Sequence, residues 1–437
     1  MRTKRKKARP AARLRQLARI QGAVDGARNS TKGIGLGRAS RYQRMAFGAI
    51  FPVRTIQICH CKFIRTLTIV LLLNPAPFGG LETVALNLAT GLRALGTPFT
   101  TVALLDDGDQ EPRLLSELAR DGVPLEIVRV RPRQYLAERE RIRSVLRKLN
   151  ARVVHTHGYR MDVMTRSIIG GTRMRWVSTL HGFTGGNRKN RLFEALQLRA
   201  LRRADVVIGV SRPILTRAVA SGVKASATRL VRNALPASSP MSREAAKAEL
   251  GLSSERRWVG WVGRLGAEKD PVLFAKFIRQ VDDPSVGGVI VGDGPLRALI
   301  ETDFADLIQS GRLILAGARI DAGRLMTAFD ALVVSSVTEG TPMVVLEAMQ
   351  CGVPVVAMAV GGLPDIVGEG AGLLVTERSG RAIGAAVVAL LNDGSLRTAV
   401  VTAAQQRIAE QFSAADWLSA HLQIYTELSG VNFKSDS

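Results

Sequence analysis

The sequence predicts an α/β protein built from two parallel-sheet domains, and three observations carry that expectation. Short apolar runs alternate with amphipathic stretches from Leu67 onward, a Ser/Pro-rich break falls within residues 233–255, and a second alternating series follows the break. Strand patterns that alternate with helix patterns imply parallel sheets with helical crossovers. At 437 residues, with 46% hydrophobic content, the chain is long enough for two ordinary cores.

Residues 1–65 stand apart from this pattern. They hold 17 of the 61 Lys/Arg against Asp25 alone, so +16 of the formal +24 lies there. The opening MRTKRKKARPAARLRQLAR runs into Gln, Gly, Asp and Asn rather than an apolar stretch, which argues against a secretory signal. Scattered glycine and few aromatics predict disorder. A basic functional extension, resembling a transit segment or a nucleic-acid arm, and a misassigned start with Met45 as candidate initiator both fit, and residues 1–65 are expected to be dispensable for catalysis. Cys59 and Cys61 around His60, with one further cysteine, are too few and too close for a zinc site or a disulfide framework. A reducing cytoplasm is the simplest expectation.

The first domain, residues 66–235, takes seven strands from LTIVLLLN, FTTVALL, LEIVRV, RVVHTH, WVSTLH, ADVVIGVS and ATRLVRNAL. The second, residues 236–411, takes six from WVGWVG, GGVIVG, RLILAG, ALVVSS, PVVAM and GLLV. Both series read as Rossmann-like. The longest apolar run, Leu67 to Leu73, ends at Asn74 and Pro75, too short for a bilayer-spanning helix.

The most informative segment is EGTPMVVLEAMQCGVPVVAMAVGGLPD, residues 339–365. A strand ending at Ser335 delivers Glu339 into a loop. Thr341 is expected to cap the next helix and Pro342 to occupy its first turn, where a missing N–H is no loss. The first N–H groups of that helix, about Met343 to Val345, carry the positive end of the helix dipole and favour a phosphate. Glu347 lies about a turn inside. Two carboxylates beside an anion site repel the anion unless each grips neutral hydroxyls, and a nucleotide sugar supplies a diphosphate, a sugar and a ribose together.

Glu347, Ala348, Met349, Cys351 to Val356, and Gly361, Gly362, Pro364 and Asp365 closely resemble the E-x7-E signature of retaining nucleotide-sugar glycosyltransferases, family 4, of the GT-B fold. The resemblance runs from about Leu67 to Leu428. It implies two Rossmann-like domains facing a central cleft, the acceptor on the first, the donor on the second, and a C-terminal segment (residues 412–437) whose helix crosses back to the first domain. Phe412, Trp417 and Tyr425 would anchor that helix.

Other motifs fit the same reading. Gly263-Arg264-Leu265-Gly266-Ala267-Glu268-Lys269 follows the first strand of the second domain, at the sheet edge where ligands of open α/β sheets bind. Arg264 can fork two phosphate oxygens and Lys269 adds a point charge, together balancing a departing diphosphate. The resemblance assigns the matching Arg and Lys that task. Asp270 departs from the family, which usually has glycine there, and its carboxylate is expected to temper the charge of Lys269. Asn74 to Glu82, with Gly79 and Gly80, resembles the N-terminal glycine loop facing the donor. His155 and His157 read as structural strand-end histidines. His181, in Ser178-Thr179-Leu180-His181-Gly182, resembles the family histidine that hydrogen-bonds the donor sugar or phosphate. Gly292 to Pro295 and Gly317-Ala318-Arg319 resemble nucleotide-holding loops.

The expected catalytic set is therefore His181, Arg264, Lys269 and Glu339, with Gly79, Gly80, Gly263, Arg319, Gly340, Thr341, Pro342, Met343, Val344 and Glu347 binding the donor. The resemblance implies no metal and no cofactor besides the nucleotide-diphosphate sugar. Asp107-Gly108-Asp109 mimics a metal-binding D-x-D but reads as a solvated turn, and Gly33 to Gly37 imitates a nucleotide loop without a preceding strand. The expected acceptor is a lipid-linked sugar or a growing polysaccharide or glycolipid at the inner face of the plasma membrane. The stretch Arg188 to Arg203 sets Leu192, Phe193, Leu196 and Leu201 among six Lys/Arg, leaving a peripheral contact with anionic membrane open. Two alternatives stay open: a GT-B sugar-nucleotide epimerase or hydrolase, and a protein binding nucleic acid nonspecifically through its basic arm.

Overall fold

A computed structural model describes residues 68–75, 79–183, 188–235, 240–319 and 322–430. The expectations for residues 1–65, including Cys59, His60, Cys61 and the Gly33 to Gly37 string, lie outside the described residues, as do Ala76, Pro77 and Phe78 of the glycine loop.

The first sheet contains β1 (Ile69–Leu73), β2 (Phe99–Asp106), β3 (Leu125–Val130), β4 (Val153–His157), β5 (Arg175–Leu180), β6 (Val206–Gly209) and β7 (Thr228–Leu230). They run parallel in the order β3-β2-β1-β4-β5-β6-β7. The second sheet contains β8 (Arg257–Val262), β9 (Val286–Val291), β10 (Leu313–Gly317), β11 (Ala331–Val334), β12 (Val355–Met358) and β13 (Leu373–Val375), parallel in the order β10-β9-β8-β11-β12-β13. All five residues of β1 and all six of β9 are buried, which is why those strands read as unbroken apolar runs rather than alternating ones. The two sheets match the two strand series expected from sequence, seven and six. Strand order reverses between β1 and β4 and again between β8 and β11, and the loops after these strands flank the crevice where such sheets hold ligands.

Side-chain alternation along β4 puts His155 and His157 on one face and Thr156 on the other. In register, His155 stands opposite Val177 and His157 opposite Thr179. The helix Ala414–Ser429 packs on β4 and on the helix Gly80–Ala94, so the C-terminal segment crosses back to the first domain. Phe412, Trp417, Leu418, Ile424 and Tyr425 are buried in the core beneath it. Ser413 caps this helix, its hydroxyl accepting from the Asp416 N–H. Ser413 also bridges in parallel to Leu235, so the chain returns beside the segment by which it left.

Among the described residues no single helix is long and apolar enough to cross a membrane. The helices Gly380–Asn392 and Gly394–Gln411 reach that length and composition only as a pair bent by 98°. Val387, Leu390 and Val400 of that pair are buried in the second core.

Candidate functional site

A cavity of about 570 Å³ opens between the carboxyl ends of the two sheets. Its first-domain wall includes Gly158, Tyr159, Thr179, His181, Phe193, Glu194 and Gln197; its second-domain wall includes Glu268, Lys269, Thr338, Glu339 and Gly340. Four of the expected residues, His181, Lys269, Glu339 and Gly340, thus meet in one space.

The second-domain wall is an ion-paired one. Lys269 Nζ donates to both carboxylate oxygens of Glu339, at 2.7 and 2.9 Å, and Ser336 Oγ donates to the same carboxylate at 2.5 Å. Glu339 is 6% exposed and Lys269 32%, so the buried carboxylate is held while the ammonium still faces the cavity. Two groups read from sequence as separate ligand contacts are each other's partners. The loop carrying Glu339 is fastened from behind by Arg378, which donates to the carbonyls of Ser335 and Ser336 and to Asp270 Oδ2. Nothing in the local sequence of Arg378 marked that role.

Asp270 has partners of its own other than Lys269. Its carboxylate faces Arg378 at 2.7 Å and caps the helix Pro271–Gln280 by accepting from the Leu273 N–H. Its φ of 46° explains why glycine suits this position, and why aspartate, which tolerates left-handed backbone, is a workable replacement.

Thr341 does not cap the helix Met343–Gln350. Pro342 is the N-cap residue, outside the first turn, and no side chain caps this terminus. The Thr341 hydroxyl donates instead to the Val210 carbonyl at 2.7 Å, and the Thr341 carbonyl accepts from Asn233 Nδ2 at 3.2 Å. Both bonds tie the glutamate loop to the end of the first domain, an outlet for the hydroxyl that local sequence could not reveal. The Val345 N–H donates to the Pro342 carbonyl at 3.2 Å, so among the described residues the free first-turn donors are those of Met343 and Val344 rather than three. Gly340 is needed for contact: a Cβ there would stand 2.1 Å from the His181 carbonyl oxygen.

Glu347 is half-buried beside Gly323, and burial pushes its pKa up to about 7. It is absent from the wall of the 570 Å³ cavity. Arg264 is exposed, and Gly263 lies behind it; neither lines the cavity. Gly292 and Gly294 pack directly on this loop, since a Cβ on Gly292 would lie 1.8 Å from the Gly263 carbonyl oxygen. These glycines shape the loop that carries Arg264. Arg319 pairs with Glu249 at 2.6 Å, away from the cavity. Gly79 and Gly80 begin the helix Gly80–Ala94, whose next residue, Leu81, reaches the cavity wall. Asp107 and Asp109 are exposed on the turn after β2.

The first-domain wall carries Lys189, Glu194 and His181, and behind His181 lies a buried histidine cluster. Of the five histidines, four gather here: His181 Nε2 lies 2.9 Å from His157 Nδ1, the His157 ring lies 4.4 Å from that of His155 at a tilt of 36°, and His421 of the crossing helix lies 5.9 Å from His155. Burial, with the neighbouring imidazole of His421, pushes His181 down to about 4; burial pushes His421 to about 4 against its bond to the Trp417 carbonyl. His155 and His157 are held well below 6.5 by burial and by adjacent imidazoles. Among the described residues, His157 Nε2 and His181 Nδ1 are buried without a hydrogen-bond partner. On the opposite face of the sheet, burial pushes Asp162 up to about 7 while Thr156 Oγ1 and Gln197 Nε2 donate to it.

Family models now place the chain. The model described as glycosyl transferases group 1 matches residues 242–407, and the model described as glycosyltransferase family 4 matches residues 78–238. The chain belongs to the family 4, group 1 glycosyltransferases. Similar proteins include the D-inositol 3-phosphate glycosyltransferase of Mycobacterium marinum, 29% identical over 54% of this chain and 49% of that relative. The N-acetyl-alpha-D-glucosaminyl L-malate synthase of Bacillus anthracis is 25% identical over 67% of this chain and 79% of its own length. Among solved structures, Anabaena Alr3699/HepE in complex with UDP-glucose aligns with a TM-score of 0.72 at 21% identity, over 83% of this chain and 100% of that one. That likeness establishes the GT-B fold of this glycosyltransferase.

Proposed function

We propose that this glycosyltransferase moves a sugar from a nucleotide-diphosphate sugar to a saccharide or lipid-linked acceptor, with retention of anomeric configuration and without a metal. The observation that carries the reading is the buried Glu339 carboxylate paired to Lys269 on the cavity wall, opposite His181. A neutral imidazole facing a lysine–glutamate pair suits a ligand that is hydroxyl-rich at one end and anionic at the other. Lys269 turns from Glu339 toward the diphosphate, Arg264 reaches it from solvent, and the free N–H groups of Met343 and Val344 add the helix dipole. Glu339, released in part, accepts from sugar hydroxyls, Glu347 from the ribose, and His181 bonds the sugar or phosphate. Charge stabilisation of the leaving diphosphate then supplies most of the rate, and the departing phosphate oxygen takes the acceptor's proton.

The first-domain wall favours transfer over hydrolysis or epimerisation. Tyr159 and Phe193 stack at 5.0 Å with planes 13° apart, and Lys189, Asn190 and Gln197 continue the wall beyond the donor residues. Such a surface holds an acceptor and excludes water. The helix Arg188–Leu201 exposes Leu192 and Leu196 at 58% and 42% between its basic residues, and we include a contact with anionic lipid in the proposal.

The test is incubation with UDP-, GDP- and ADP-sugars, scored for nucleotide release with and without saccharide or lipid-linked acceptors, before and after EDTA. Acceptor-dependent release that survives EDTA and gives a product of unchanged anomeric configuration is the expected result. Release indifferent to every acceptor would point to hydrolysis instead, and loss restored by manganese would refute metal independence.

A further inference from the structure

We propose that Thr179 is a ligand-binding hydroxyl whose proton is directed into the cavity by His155 and, through His155, by Tyr425 of the crossing helix. The inference rests on the reading of the cavity as a nucleotide-sugar site only for the identity of the acceptor, an oxygen of the bound donor.

Three buried groups form one chain. The Tyr425 hydroxyl lies 2.6 Å from His155 Nδ1, and His155 Nε2 lies 2.7 Å from Thr179 Oγ1. Tyr425 and His155 are 0% exposed and Thr179 is 2% exposed, yet Thr179 lines the cavity. His155, buried and crowded by other imidazoles, is neutral at ordinary pH, so its ring carries one N–H and one lone pair. Two polarities are open to it. If Nδ1 held the proton, it would donate to Tyr425, and the phenolic O–H would need a second acceptor; among the described residues His155 is its sole partner. Leaving a buried O–H unpaired is costly. In the other polarity Tyr425 donates to Nδ1 and Nε2–H donates to Thr179 Oγ1, so every buried proton on the chain is used except the last. That last proton belongs to Thr179, which finds no protein acceptor among the described residues and borders the cavity. The wire ends in a donor aimed at whatever fills the space. Tyr425 and His155 are thus positioning residues, and Thr179 is the contact.

Two measurements test this. With five histidines in the chain, NMR of the imidazole nitrogens can resolve His155 in the unliganded protein. The expected spectrum shows Nε2 protonated and Nδ1 bare, with Tyr425→Phe converting it to a tautomer mixture. The reverse tautomer in the wild type overturns the inference whether or not the cavity takes a nucleotide sugar. In the second, kcat/KM is measured with UDP-glucose, GDP-mannose or ADP-glucose, whichever the wild type turns over. Thr179→Val should lower it roughly threefold to tenfold, the worth of one neutral hydrogen bond, with Thr179→Ser restoring most of the loss and Tyr425→Phe giving a smaller loss in the same parameter. Thr179→Val at wild-type level, or Thr179→Ser as impaired as Thr179→Val, would show packing rather than a directed hydroxyl and defeat the proposal.

Discussion

The two walls of the cavity solve opposite problems. The second-domain wall keeps charges available, pairing Lys269 with Glu339 and leaving Arg264 in solvent. The first-domain wall, although it carries Lys189 and Glu194, is backed by uncharged groups: half-buried His181 rests on three fully buried imidazoles, all held neutral, and hydroxyls and ring nitrogens do the bonding there. Charge is cheapest to maintain where its partner is fixed and solvent is near, and neutral donors are best placed where burial fixes their direction. One wall is therefore suited to hold a diphosphate, the other to orient hydroxyl groups.

The largest expected effect comes from removing the charge that links the second wall to the ligand. Glu339→Gln leaves Lys269 without its partner and the sugar without its acceptor; transfer should fall by at least about a hundredfold, the cost of a lost charged contact of roughly 3 kcal/mol. Thermal unfolding should move little, because Glu339 lines a cavity rather than packing a core. Transfer within threefold of wild type would break the assignment of this wall. Lys269→Met should follow, with calorimetry showing UDP or GDP affinity weakened by about 2 kcal/mol or more. Arg264→Ala, acting on an exposed side chain, should cost less than Lys269→Met. A larger loss from Arg264 would mean that the ion pair stays closed around the ligand and the exposed arginine does the work.

The contrast also explains what could be read in advance. The second wall was legible because its residues sit on loops immediately after strands, where position in the chain fixes position at the sheet edge; Lys269, Glu339 and Gly340 reach the cavity by that rule. Strand number and parallel direction followed from apolar runs that alternate with helix patterns. The first wall depends on strand parity and on Ala414–Ser429 arriving from more than 200 residues away in the chain. His155 and His157 looked like ordinary strand-end residues, and nothing local paired them with His421 or Tyr425. Thr341 and Asp270 were misread for one reason: each has a partner distant in sequence, Val210 and Arg378, that redirects a side chain its neighbours would have placed otherwise.

A middle-sized effect tests the dryness of the core behind the first wall. His421 has a folded pKa of about 4 against about 6.5 unfolded, so between those values the unfolded chain binds the extra proton. Its contribution to stability is complete above pH 6.5 and is lost as pH falls toward 4, by up to about 3 kcal/mol. Asp162 has the opposite sign. Its folded pKa of about 7 exceeds the unfolded 3.8, so the stability it lends is present below 3.8 and is lost as pH rises toward 7. Measured melting temperature between pH 4 and 6.5 should therefore rise less steeply in His421→Gln and more steeply in Asp162→Asn. Parallel profiles for all three proteins would show that these groups titrate normally and that the core behind the first wall is not the dry interior described.

The smallest effect separates capping from ligand binding on the charged wall. Asp270→Gly removes a carboxylate that accepts from the Leu273 N–H and pairs with Arg378, which argues for destabilisation of about 1 kcal/mol. The same change relieves a left-handed backbone at φ 46°, worth roughly 1 kcal/mol in the other direction. The two nearly cancel, so the melting temperature should shift by no more than a few degrees. Nucleotide affinity should stay within about twofold, because a carboxylate turned toward Arg378 neither shields Lys269 nor approaches the cavity, and the backbone of the lysine loop is retained. If Asp270→Gly instead tightens UDP or GDP binding severalfold, the carboxylate does weaken the lysine charge. The second wall would then be set by three charged groups rather than by the Lys269–Glu339 pair.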